Sequence, residues 1–79
     1  MPRGRANRKP SRELLERLAR NVRDKRTARQ WTQADLGKRL RVHPTLVSHI
    51  EQGRKNITIG TLEQLAKTLG VSVVDLLAP

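Results

Sequence analysis

The chain has no cysteine, tyrosine or phenylalanine, and Trp31 is its one aromatic residue. Without cysteine, no disulfide framework and no thiolate metal site can staple so short a chain. The two histidines, His43 and His49, have no co-ligands at metal spacing. A single aromatic cannot supply the stacking platforms that hold single-stranded nucleic acid. Acids are scarce as well, seven against seventeen Lys and Arg, and most sit where they would cap helices or form ion pairs. No nucleophile–base pair and no phosphate-cradling glycine loop is recognisable, so an enzyme has little support and nothing calls for a cofactor. The longest apolar run is three residues, against the roughly 20 that a membrane-spanning helix needs. The basic N-terminus has no apolar stretch behind it and does not read as a secretory signal. These absences point to a soluble, cytoplasmic protein without a metal centre. At 79 residues it is near the lower end of what folds on one core, so helix packing, supplemented by dimerisation, must supply its stability.

What is there is positive charge and helical periodicity. The formal net charge is +10, and it is unevenly spread. Residues 1–30 hold eleven Lys and Arg against three acids, Glu13, Glu16 and Asp24; residues 31–79 hold six against four. This is the electrostatic footprint of a polyanion binder, with a merely solubilising basic surface as the alternative. Residues 1–10, MPRGRANRKP, carry four positive charges, no acid and almost nothing to bury. They are expected to form a disordered arm. Such an arm lies along phosphates or enters a minor groove through Arg3 and Arg5, or else only solubilises the chain. Residues 11–79 are expected to form the folded domain.

The spacing predicts five helices and no strand. Ser11 reads as an N-cap, and Leu14, Leu15, Leu18 and Val22 recur at helical spacing, giving a first helix of about Arg12 to Ala28. Glu13–Arg17 and Glu16–Arg20 are i,i+4 pairs, each contributing roughly 0.3–0.5 kcal/mol. Thr32 caps the second helix with Asp35 three residues on, and Trp31 and Leu36 occupy the positions of a hydrophobic staple. Trp31 is therefore expected to pack rather than to bind a ligand. His43 reads as the N-cap of a third helix with Pro44 at its first position, running to Gln52, and Gly53 follows. After the polar loop Gly53–Asn56, Ile57 and Ile59 are expected to return to the core. Thr58 caps a fourth helix with Leu62, Leu65, Ala66 and Leu69 on one stripe, ended by Gly70. Ser72 and Asp75 open a short fifth helix, Val73 to Leu77.

Within this order, Gln33 to Gln52 reads as two short helices joined by a tight turn. Leu36, Leu40, Val42, Val47 and Ile50 form its apolar seam, and Thr45, Ser48, His49 and Gln52 face outward. Leu46 is open, either packing beneath the next loop or touching a thymine methyl. Gly37 costs up to about 1 kcal/mol inside a helix, and its expected use is to let the third helix cross closely. Gln33, in the first turn of the second helix, can grip a phosphate with its side chain and nearby amides. Short polar side chains on an exposed helix face, on a basic chain, point to sequence-specific binding of double-stranded DNA.

The pieces LARNVRDKR, WTQADLG, VHPTLVSHIEQG and TLEQLAKTLGVSVVDLL, in that order and spacing, resemble the Cro/C1-type (XRE-like) helix-turn-helix domain of phage repressors, plasmid regulators and restriction–modification controllers. The loop RKNITI resembles, more weakly, that of the small controller proteins. The resemblance implies a five-helix repressor-like domain whose third helix enters the major groove. By position it implies that Gln33, Pro44, Thr45 and His49 contact bases or neighbouring phosphates, with Ser48 alongside and His43 at the helix start. Arg54, Lys55 and Asn56 fall in the loop that clamps the backbone. Arg26 and Glu51 fall where an ion pair joins the first helix to the third.

Two positions depart from the family pattern. Arg41 stands where Gly is usual, so it adopts a positive φ at about 1 kcal/mol or the turn opens differently. Pro44 stands where a side-chain amide often reads a base, which shifts readout to Thr45, Ser48 and His49. One recognition helix covers too few base pairs for useful specificity, so a homodimer is expected on half-sites about 34 Å apart. Val73, Val74 and Leu77 are its expected contact, their alternative role being to cap the monomer core. The competing functional reading keeps the fold but makes it an antitoxin or adaptor module acting through protein–protein contacts.

Overall fold

Each helix opens on a side chain that accepts from a backbone N–H lacking an intrahelical partner. In the computed structural model, which describes residues 8–79, the caps are Ser11, Thr32, His43, Thr58 and Ser72. They accept from the amides of Leu14, Asp35, Thr45, Thr61 and Asp75 at 3.0–3.1 Å. The helices that follow are α1 (Arg12–Ala28), α2 (Gln33–Leu40), α3 (Pro44–Glu51), α4 (Ile59–Leu69) and α5 (Val73–Leu77). No strand occurs among the described residues, as the all-α reading expected. The third helix stops one residue early, with Gln52 as its C-cap. Most of the expected N-terminal arm, including Arg3 and Arg5, lies outside the described residues; Arg8, Lys9 and Pro10 have no regular secondary structure.

The core is built by one stripe from each helix: Leu18 and Val22, Leu36, Val47 and Ile50, Leu65, Ala66 and Leu69, and Leu76. Leu40, Val42 and Leu46 lean on its edge, which places Leu46 in the packing and leaves it half-buried. Helix α1 packs on α3 and α5, while α2 packs on α3 and α4. The close α2–α3 crossing depends on Gly37. A Cβ there would stand 2.9 Å from the Val42 carbonyl oxygen and 3.3 Å from the Pro44 nitrogen, both backbone atoms that cannot easily move aside. Of the two outcomes open to Arg41, the chain takes the left-handed one, φ 62° and ψ 42°. Gln30, before α2, shares that conformation at φ 60°, which the sequence reading did not anticipate.

Two local expectations are corrected. Ile59 is 78% exposed, although it lies at helical spacing with the buried stripe of α4. As the first residue after the cap it has nothing packed against it, and Ile57, just before the cap, fills the core position instead. Glu13 and Arg17 pair at 2.8 Å as expected, but Arg20 turns away from Glu16 and donates to the Ala78 carbonyl at 3.3 Å. Asn21 donates to the carbonyls of Leu76 and Ala78 at 3.0 and 2.8 Å. The last carbonyls of α5 have no intrahelical donors, and these two side chains of α1 supply them.

Candidate nucleic-acid interface

The outward surface of α3 is set by what happens on its inward side. Val47 and Ile50 are fully buried against α1 and α2, and Glu51, 6% exposed, is the one buried charged residue among those described. A buried carboxylate is costly unless it is paired and hydrogen-bonded. Arg26 supplies the pairing from α1: its Nε donates to Oε2 at 2.6 Å and its Nη2 to Oε1 at 2.9 Å. Its Nη1 donates to the Trp31 carbonyl at 2.7 Å, so the guanidinium uses all three nitrogens and also fixes the α1–α2 loop. The hydrogen bond to Glu51, helped by its charge, holds the Arg26 pKa above its ordinary value despite burial acting the other way. The ion pair inferred from the family resemblance is therefore present, and it has a third member. Gln33 Nε2, at the start of α2, donates to Glu51 Oε1 at 3.0 Å.

That third contact changes what Gln33 offers. A carboxylate only accepts, so Glu51 draws the NH₂ end of the Gln33 amide toward it. One N–H is consumed, and one N–H and the amide oxygen remain. The backbone around it is better placed. The Asp35 amide is capped by Thr32, but the amides of Gln33 and Ala34 have no acceptor among the described residues. At α3 the opposite holds: Pro44 has no N–H, His43 takes that of Thr45, and the His43 carbonyl takes that of Leu46 at 3.0 Å. Phosphate-gripping amides are available at α2, whereas the first three positions of α3 offer none and leave contacts to side chains and the His43 amide.

Those side chains are presented as the sequence suggests. Pro44, Thr45 and His49 are exposed on α3, with His43 exposed at its start. Ser48 is half-buried, and its hydroxyl accepts from Gln52 Nε2 at 3.1 Å, which ties two of the outward polar groups together. Arg54, Lys55 and Asn56 are exposed in the loop after α3, and the Arg54 amide bonds back to the His49 carbonyl at 3.1 Å. With Glu51 turned inward, α3 shows no carboxylate on its outer face. The acid near the interface is Asp35, at the start of α2. The Thr32 amide, donating to its carboxylate at 2.8 Å, holds its pKa below the ordinary value and keeps it engaged in the cap.

Trp31 packs against the core as the staple reading expected, but it also carries cations. The Arg39 guanidinium lies 4.1 Å from the ring centroid and that of Arg29 5.8 Å. Arg39 is thus a basic group of α2 held in place by stacking, and the sequence reading missed it. The signal was there in part, since residue 39 lies two turns from the staple. Among the described residues no three His, Cys, Asp or Glu side chains come together as a metal site. No helix among them is long and apolar enough to cross a membrane.

An α2–turn–α3 unit locked from behind by an ion pair, with a carboxylate-free polar face in front, is a helix-turn-helix. The chain belongs to the Helix-turn-helix family (HTH_3), which it matches over residues 22–76. It is similar to a protein described as a hypothetical transcription factor of Neisseria meningitidis serogroup B, with 36% identity over 67 residues. That match covers 85% of this chain and 63% of the Neisseria protein's length. It is also 37% identical over 65 residues to the control protein C.SmaI of Serratia marcescens, covering 82% and 77% of the two chains. The crystal structure of the hypothetical transcription factor NHTF from Neisseria superposes with a TM-score of 0.81 at 34% identity, covering 91% of this chain and 84% of that one. That of the clp gene regulator ClgR from Corynebacterium glutamicum gives 0.77 at 32% identity, covering 90% and 88%.

Proposed function

We propose that the chain is a sequence-specific regulator of transcription that binds double-stranded DNA as a homodimer, with α3 in the major groove of each half-site. The observation that carries this reading is the Arg26–Glu51–Gln33 network. It removes the only acid of α3 from the surface and fixes α2 and α3 at one angle, so a polar face is offered to a polyanion without a repelling carboxylate. Thr45, Ser48 and His49 are the base-reading side chains, and Pro44 offers apolar contact to a thymine methyl. Gln33, through its remaining N–H and the free amides beside it, contacts a phosphate, and His43 contacts the DNA at the start of the helix. Arg54, Lys55 and Asn56 hold the backbone from the loop. The protein acts in the cytoplasm on the DNA it reads, and no catalytic step is part of this function.

The dimer is assigned to α5. Val73 and Leu77 lean against the core, while Val74 is 75% exposed and is the residue of this set most available to a second copy. Selection of sites from a random DNA pool should return a two-fold-related sequence. On that site Thr45→Ala or His49→Ala should cost roughly 1–3 kcal/mol and have little effect on random DNA. Equal losses on both DNAs would remove these residues from the base-reading set. Failure of the wild-type protein to retain any DNA at low salt would favour the adaptor reading over the regulator.

A further inference from the structure

We infer that His43 meets the DNA as a hydrogen-bond donor through Nε2–H, because capping α3 commits its other ring nitrogen to the acceptor role. The inference rests on the reading of α3 as the recognition helix. Its geometric basis is one contact: the Thr45 amide donates to His43 Nδ1 at 3.1 Å. A ring nitrogen that accepts carries no proton, so in the neutral imidazole the proton resides on Nε2. Nδ1 is bonded next to the Cγ and lies near the backbone. Nε2 is on the far side of the ring, and the residue is exposed. The donor therefore stands beyond the helix start, at the edge of the face formed by Pro44, Thr45 and His49.

The choice of residue adds to the argument. The other four helices are capped by the hydroxyls of Ser11, Thr32, Thr58 and Ser72, members of the preferred N-cap set to which His does not belong. A hydroxyl cap is short and stays at the backbone. An imidazole cap is the one that also projects a donor outward, and it stands on the helix assigned to recognition. Pro44 removes the next amide, and the amides of Thr45 and Leu46 are already bonded. The Nε2–H is thus, with the His43 amide itself and apart from side-chain hydroxyls, the polar hydrogen that the start of α3 still has to give. It suits an acceptor, either a phosphate oxygen or a base edge such as guanine N7 or O6, and it disfavours the amino group of cytosine.

The test uses full-length protein made by chemical synthesis with a methyl group on one ring nitrogen of His43. A methyl on Nε2 removes the donor and keeps the cap, so the thermal midpoint should match the wild type while DNA affinity falls at least about tenfold. His43→Ser keeps a cap, removes the donor and adds no bulk, and should lose affinity likewise. A methyl on Nδ1 removes the cap and should lower the midpoint. Loss confined to the selected site identifies a base acceptor, and equal loss on random DNA identifies a phosphate; either supports the donor. Wild-type affinity in both the Nε2-methyl and His43→Ser proteins overturns it, as does an unchanged midpoint with Nδ1 methylated. If the wild-type protein retains no DNA, the recognition reading fails first and the inference with it, whereas the Nδ1-methyl midpoint still reports on the cap.

Discussion

Glu51 is buried and Arg26 largely so, their side chains keeping 3% and 12% of their accessible surface, so each depends on the other. Removing one partner of such a pair leaves an uncompensated charge, a loss of about 3–5 kcal/mol. Arg26→Ala should show a loss of that size in urea unfolding. Arg26→Lys should recover little of it, because a single ammonium cannot reproduce two bonds to Glu51 and one to the Trp31 carbonyl. A fully stable Arg26→Lys protein would mean that charge alone, and not the directed fork, holds the three helices. Arg41 poses the opposite case. Its left-handed backbone costs an L-residue about 1 kcal/mol, and it is exposed. Arg41→Gly should stabilise the fold by up to about 1 kcal/mol, the gain being trimmed by the extra freedom glycine has when unfolded. Lower stability in that variant would show that the Arg41 side chain makes a contact worth more than the backbone strain.

At the scale of the elements, the helices are bounded by local hydrogen bonds, and two of these are capping boxes, Thr32 with Asp35 and Ser72 with Asp75. The amide of each cap residue donates to the carboxylate and depresses the pKa of Asp35 and of Asp75 from 3.8. A carboxyl with a lowered folded pKa contributes stability that is complete above its unfolded value and is lost as pH falls through the folded one. Thermal midpoints should therefore decline as the pH drops below 3.8. The double variant Asp35→Asn, Asp75→Asn should be less stable near neutral pH and lose less on acidification. An acid limb identical to that of the wild type would exclude the two boxes as its origin. Cap positions are legible from sequence because a cap and its target amide are two or three residues apart. For the same reason the five helix starts agree with the sequence reading, and only the end of α3 shifts.

For the whole molecule the governing quantity is a net charge of +10, which the proposed dimer would bring together twice. Residues 59–79 carry one Lys against two acids, Glu63 and Asp75, so all of the excess lies in the preceding part of the chain. The α4–α5 end is thus where a second copy meets least repulsion, and the basic remainder stays free for phosphates. If the proposed dimer forms through α5, Val74→Asp should sediment as monomer while its helical content stays intact, since Val74 is 75% exposed in the single chain. Ile59→Ser, at a comparably exposed apolar residue on α4, is the control. Dissociation by Ile59→Ser but not by Val74→Asp would move the interface off α5.

The sequence by itself determined the helix starts, the apolar stripes, the basic bias and the polar outer face of α3, because each depends on residues at most a few positions apart or on composition alone. It also carried Gly37, since a glycine inside a short helix before a turn implies a close crossing. Tertiary structure decided which distant partner each long polar side chain found: Gln33 on Glu51, Arg20 and Asn21 on the last carbonyls of the chain, Arg39 on Trp31. It also decided that Ile57 and not Ile59 is covered. A helical period says which face is apolar, but coverage depends on whether another element reaches that turn. The choice among several acceptors for a flexible donor is settled only when the backbone has brought them within about 3 Å.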